Sequence, residues 1–92
     1  MPSNRSTKRD ALREQICSGV AQILKAERLK RNLTRTEVAG RAGLNRQTIA
    51  FIETQGRTPT IDTLLRVSEV LGLNLEDVIR DARGNVESPK TL

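Results

Sequence analysis

A chain of 92 residues has room for one small domain, which on folding buries about two-thirds of its surface. With no His, Trp or Tyr and a single Cys, it lacks the parts for a zinc site, a disulfide framework or a Cys-His nucleophile, so neither a metal nor a cofactor nor an enzyme activity is expected. The net charge of +5 is unevenly spread: Arg28 to Arg57 holds seven Lys/Arg against two Glu, and Thr60 to Ala82 holds two against five acids, as suits a domain turning its first half toward a polyanion.

Met1 to Arg9 is basic and almost without apolar residues, and reads as a flexible arm. Its Arg5, Lys8 and Arg9 suit contacts along phosphates or in a minor groove, or remain simply solvated. No apolar segment of signal-peptide type follows it, and no run approaches the ~20 residues of a membrane span, so a cytoplasmic protein without membrane contact is expected. Cys17 reads as a small buried or half-buried hydrophobe in a reducing cytoplasm.

From Asp10, a good N-cap, the apolar residues Leu12, Ile16, Val20, Ile23 and Leu24 follow a helical period that predicts a first helix reaching about Arg31. Thr34 with Glu37 three residues later is a capping box that opens a second helix, ending near Ala42. Asn45 caps a third, Arg46 to about Thr54, and Gly56 to Pro59 form its exit loop. A fourth helix starts at Thr60 with a wide apolar face, Ile61, Leu64, Leu65, Val67, Val70 and Leu71, and Gly72 stops it. Asn74 opens a fifth, with Glu76 and Asp77 favourably placed in its first turn. Residues 10–82 make the folded domain, and Arg83 to Leu92 read as a disordered tail.

Within this plan, Thr34 to Glu53 packs two short capped helices and a glycine turn into one compact segment. Ala39 has no side chain to hold the second helix away, and Gly43 accepts the positive φ of a sharp turn. Val38, Leu44, Ile49 and Ile52 close the pair onto a core, while Arg35, Arg41, Asn45, Arg46, Gln47 and Phe51 are left facing outward. The start of a helix is the end that reaches base edges in a major groove. Arg46 there can donate twice to guanine, Gln47 can both donate to and accept from adenine, and Asn45 can reach an edge base or a phosphate. Arg35, Arg41, Thr48 and Arg57 flank these groups as candidate phosphate contacts.

The segment resembles the helix-turn-helix of the phage Cro/CI-type (Xre-like) repressors, with Ala39, Gly43, Ile49 and Ile52 at the motif's small and aliphatic positions. The likeness continues through Arg28 and Leu33 before it and Arg57, Pro59, Thr60 and LLRVSEVLGLNLEDVI after it, from about Val20 to Ile79. It implies an all-α, five-helix, lambda-repressor-like DNA-binding domain, here with an extended first helix. Three positions differ from the family pattern: Arg35 stands where Gln is most frequent, Asn32 where Gly is common, and the glycine after Glu53 is displaced to Gly56. The resemblance further implies that Phe51 faces the groove, where its ring suits a thymine methyl, although a lone Phe also suits a core. It pairs Arg28 with Glu53 between the first helix and the end of the third.

A single recognition helix reads too few base pairs to select a site in a genome, so a homodimer on palindromic double-stranded DNA is expected. The fifth helix, with Leu73, Leu75, Val78 and Ile79, is the conventional dimer surface of the family. The extra stripe of Leu12 and Ile16 competes with it, and core packing is the other use for the fifth-helix residues. The function expected is sequence-specific transcription regulation. The rival is an antitoxin or coactivator-like module that acts mainly through a protein partner, such as a toxin or RNA polymerase.

Overall fold

The structure is a computed structural model that describes residues 8–87. Among them lie five helices and no strand: α1 (Lys8–Lys30), α2 (Arg35–Ala42), α3 (Arg46–Thr54), α4 (Ile61–Val70) and α5 (Leu75–Glu87). The chain reverses between α1 and α2 through Asn32 at φ 58, a left-handed residue where Asn is tolerated. Thr34, Asn45 and Thr60 cap α2, α3 and α4, each side-chain oxygen accepting the amide three residues on.

The core is a single apolar cluster to which every helix contributes: Val20 and Leu24 of α1, Val38 and Ala39 of α2, Ile49 and Ile52 of α3, Val67 of α4, and Leu75, Val78 and Ala82 of α5, with Leu71 at its centre. Ser68 is buried in the same region, and its hydroxyl has no hydrogen-bond partner among the described residues. The principal contacts join α1 to α5, α2 to α3 and α2 to α4, so the two short helices are held from behind by the rest of the domain. No helix among the described residues is long and apolar enough to cross a membrane.

Two boundaries differ from the sequence expectation. The first helix begins at Lys8, not at Asp10; Asp10 lies inside it and accepts a hydrogen bond from Arg13 at 2.6 Å. Lys8 and Arg9 are therefore helical, and the rest of the expected arm, Arg5 included, lies outside the described residues. The last helix continues past Arg83 to Glu87, which contradicts a tail beginning at 83; Ser88 to Leu92 lie outside the described residues. The C-terminal part of α5 lies against the middle of α1, whereas Lys8 and Arg9 at the start of α1 are exposed. A Cβ on Gly19 would stand 3.0 Å from that of Ala82, and Ala82 and Val86 share a groove with Gln15, Ser18 and Ile23. Tertiary burial of Ala82 and Val86 carries α5 beyond what capping residues specify.

Candidate nucleic-acid interface

The geometry of α2 and α3 follows from local chemistry. Thr34 Oγ1 accepts the Glu37 amide at 3.0 Å while Glu37 Oε1 accepts the Thr34 amide at 2.8 Å, and these bonds hold the Glu37 carboxyl below its ordinary range. Gly43 takes φ 72, and the Leu44 amide returns to the Ala39 carbonyl at 2.9 Å, turning the chain within three residues. Ala39 is buried at the crossing, where a larger side chain would separate the helices. Arg66 of α4, which sequence reasoning passed over, reaches the Ala42 carbonyl at 3.3 Å and so serves the C-terminal end of α2.

The side chains at the start of α3 are exposed: Arg46 and Gln47 lie on the surface, while Ile49 and Ile52 of the same helix are in the core. Asn45 Oδ1 is occupied within the chain. It accepts the Thr48 amide at 2.9 Å and the Thr48 hydroxyl at 3.0 Å, so an outside contact by Asn45 falls to its amide nitrogen. Thr48 is half-buried with its hydroxyl committed to that cap, and a phosphate contact through it requires the hydroxyl to turn away. Arg41 is exposed near the end of α2.

Arg35 has a different environment from the one expected of a phosphate contact. Its Nε donates to Glu53 Oε1 at 3.0 Å. The same carboxylate accepts Arg28 Nε at 2.6 Å and Arg28 Nη2 at 3.0 Å, and Arg28 Nη1 donates to the Leu33 carbonyl at 2.8 Å. Two arginines thus converge on one carboxylate that is only 4 % exposed, tying α1 and α2 to the end of α3. Burial alone would raise the Glu53 carboxyl, but the hydrogen bonds and charges of Arg28 and Arg35 outweigh it and hold the group below the ordinary value. The resemblance pairs Glu53 with Arg28 alone, and Arg35, which stands where the family most often has Gln, joins that carboxylate only in the folded chain.

Phe51 is half-buried and lies outside the core cluster, so its ring does not take the core position weighed for it. The guanidinium carbon of Arg57 sits 4.8 Å from the ring centroid. Phe51, Gln47, Thr48 and Arg57 line a cleft of about 380 Å³ between α3 and the exit loop, which Thr60 and Thr63 at the start of α4 close.

The residues proposed for a dimer surface divide. Leu75 and Val78 are 5 % and 3 % exposed and belong to the core, which corrects their assignment to an outer face: α5 turns them inward against α1. Leu73 and Ile16 are half-buried and packed against the same cluster, and Leu12 is half-buried on α1. Ile79 remains exposed. The expected wide apolar face of α4 does not all reach the core: Ile61 is 62 % and Leu65 41 % exposed, one helical turn apart.

A model of the helix-turn-helix family matches residues 24–78. An uncharacterized HTH-type transcriptional regulator of Archaeoglobus fulgidus is 33% identical over 55 residues, covering 60% of this chain and 78% of that protein. The fold is similar to the crystal structure of a mutant of the restriction-modification controller protein C.Esp1396I, with TM-score 0.70 and 23% identity over 82% of this chain and 97% of that one.

Proposed function

From the premise that this chain belongs to the helix-turn-helix family of DNA-binding transcription regulators and is not an enzyme, we propose that it acts as a homodimer on a palindromic operator, with α3 in the major groove. The observation that carries this reading is the division of labour on α3. Ile49 and Ile52 anchor the helix in the core, whereas Arg46 and Gln47, the side chains with paired hydrogen-bonding groups, stand exposed at its N-terminal end. Asn45 and Phe51 extend the base-reading row, and Arg41 and Arg57 supply phosphate contacts on either side.

Dimerisation is needed because one short helix reads only about four base pairs, and a two-fold pair places half-sites about 34 Å apart. The exposed apolar residues that support it are Ile61 and Leu65, one helical turn apart on α4 next to the exit loop. The place of action is the cytoplasm.

Selection of bound duplexes from a random pool by the purified protein tests this reading. A palindromic consensus with half-sites about one helical turn apart is the expected result. Binding that falls steeply with salt but has no consensus reduces the function to nonspecific DNA coating. Absence of binding overturns the reading in favour of a module that works through a protein partner.

A further inference from the structure

The chain has one aromatic residue, Phe51, and the fold leaves it out of the core. Burying a Phe in a domain this small is a large part of the available stabilisation, so its place at the surface calls for a physical reason. The surroundings of the ring supply one. Arg57 covers one face, and Gly56 lies against the edge: a Cβ on Gly56 would stand 2.9 Å from Cδ1 and 3.6 Å from Cε1.

Gly56 is not there for its backbone freedom. The left-handed residue that ends α3 is Gln55, at φ 59, where glycine would be the least strained choice, whereas Gly56 is not among the residues with positive φ. The Gly56 amide donates to the Phe51 carbonyl at 2.9 Å, so the loop is fastened to the residue whose ring it must clear. The glycine displaced from the family's usual position therefore occupies a place in the loop where a Cβ would push the Phe51 ring.

We propose that Gly56 and Arg57 are positioning residues that hold the Phe51 ring as a fixed apolar contact for the C5-methyl group of a major-groove pyrimidine, so that 5-methylcytosine is preferred to cytosine wherever thymine is preferred to uracil. This rests on the reading of α3 as the major-groove helix. Phe51 lies one turn beyond Gln47 on the same helical row, and both line the cleft beside the exit loop. Along base edges in the major groove the C5-methyl is the apolar group. A phenyl ring carries no donor or acceptor, so it senses the methyl and is blind to whether O4 or an amino group stands beside it. A guanidinium that packs on a ring by its flat face keeps its in-plane N–H groups available for a phosphate, so holding the ring and contacting the backbone are compatible.

The test uses the full chain and the duplex recovered by selection. Each thymine is replaced in turn by uracil, and at the sensitive position a C·G pair is compared with its 5-methylcytosine counterpart. Both methyl groups are expected to raise affinity about fourfold, the effect of burying one methyl. Both ratios should fall to about one in Phe51→Ala, and toward one in Gly56→Ala and in the charge-conserving Arg57→Lys, with the salt dependence of Arg57→Lys unchanged. Ratios that persist in Gly56→Ala and Arg57→Lys overturn the positioning role. A consensus indifferent to uracil at every thymine overturns methyl sensing while leaving α3 as the reading helix, and recovery of no consensus overturns both.

Discussion

Arg28 and Glu53, 25 positions apart, share two hydrogen bonds, Nε to Oε2 at 2.6 Å and Nη2 to Oε1 at 3.0 Å, in a largely buried junction between α1 and α3. With Arg35 on the same carboxylate, the junction fixes the direction in which α3 leaves the body of the domain. A buried pair of this kind need not add net stability over an apolar replacement, but removing one member strands the other.

Glu53→Ala is accordingly expected to destabilise the domain by about 3 kcal/mol, since it leaves Arg28 buried without its counter-charge. DNA affinity should fall with it. Thermal melts and binding isotherms of the same preparation check this; an unchanged melting temperature would show that the junction does not hold the fold.

Acid should weaken the same junction. The folded-state value of the Glu53 carboxyl lies below its ordinary 4.5, so the stability that it contributes is complete above about pH 5 and is lost as pH falls through the folded-state value. Glu37 and Asp77, also lowered, add to the acid slope of the wild type. In Glu53→Gln the slope of the unfolding midpoint against pH below 4.5 should be shallower; parallel curves for the two proteins would remove Glu53 from the linkage.

Ser68→Ala is expected to leave stability unchanged or to raise it by up to about 1 kcal/mol, because the buried hydroxyl has no partner and Ala is the better helix former. Denaturant midpoints measure this. Loss of more than about 1 kcal/mol would mean that the hydroxyl is satisfied in solution.

Leu75→Ala and Leu65→Glu should separate core from dimer surface. Leu75 is core, and its truncation should cost about 2 to 5 kcal/mol. Leu65 is exposed, and Leu65→Glu should leave the unfolding of the monomer nearly unchanged while shifting sedimentation toward the monomer. A Leu65→Glu protein that still sediments as a dimer would place the interface elsewhere.

How much of this was legible in the sequence follows the range of the interactions involved. The capping box of Thr34 and Glu37, the Asn45 cap and the turn at Gly43 act within three or four residues, and local residue chemistry predicts them. The run of α5 past Arg83 depends on burial of Ala82 and Val86 against α1, which capping residues do not encode. The inward turn of Leu75 and Val78 was undecidable from periodicity, since a core face and a dimer face have the same spacing. At the interface, Arg46 and Gln47 stand exposed as expected; the roles of Arg35 and Gly56 depend on Glu53 and the Phe51 ring, which only the folded chain brings to them.

The central claim, that the N-terminal end of α3 reads base edges, is tested most directly by repeating the selection with Arg46→Ala. Arg46 is the exposed side chain there with a bidentate donor, so its loss should relax the consensus at one base pair per half-site. It should also cost about 1 to 3 kcal/mol on the preferred duplex, with the remaining positions and their spacing retained. A consensus from Arg46→Ala identical to that of the wild type would contradict this placement of α3 in the groove.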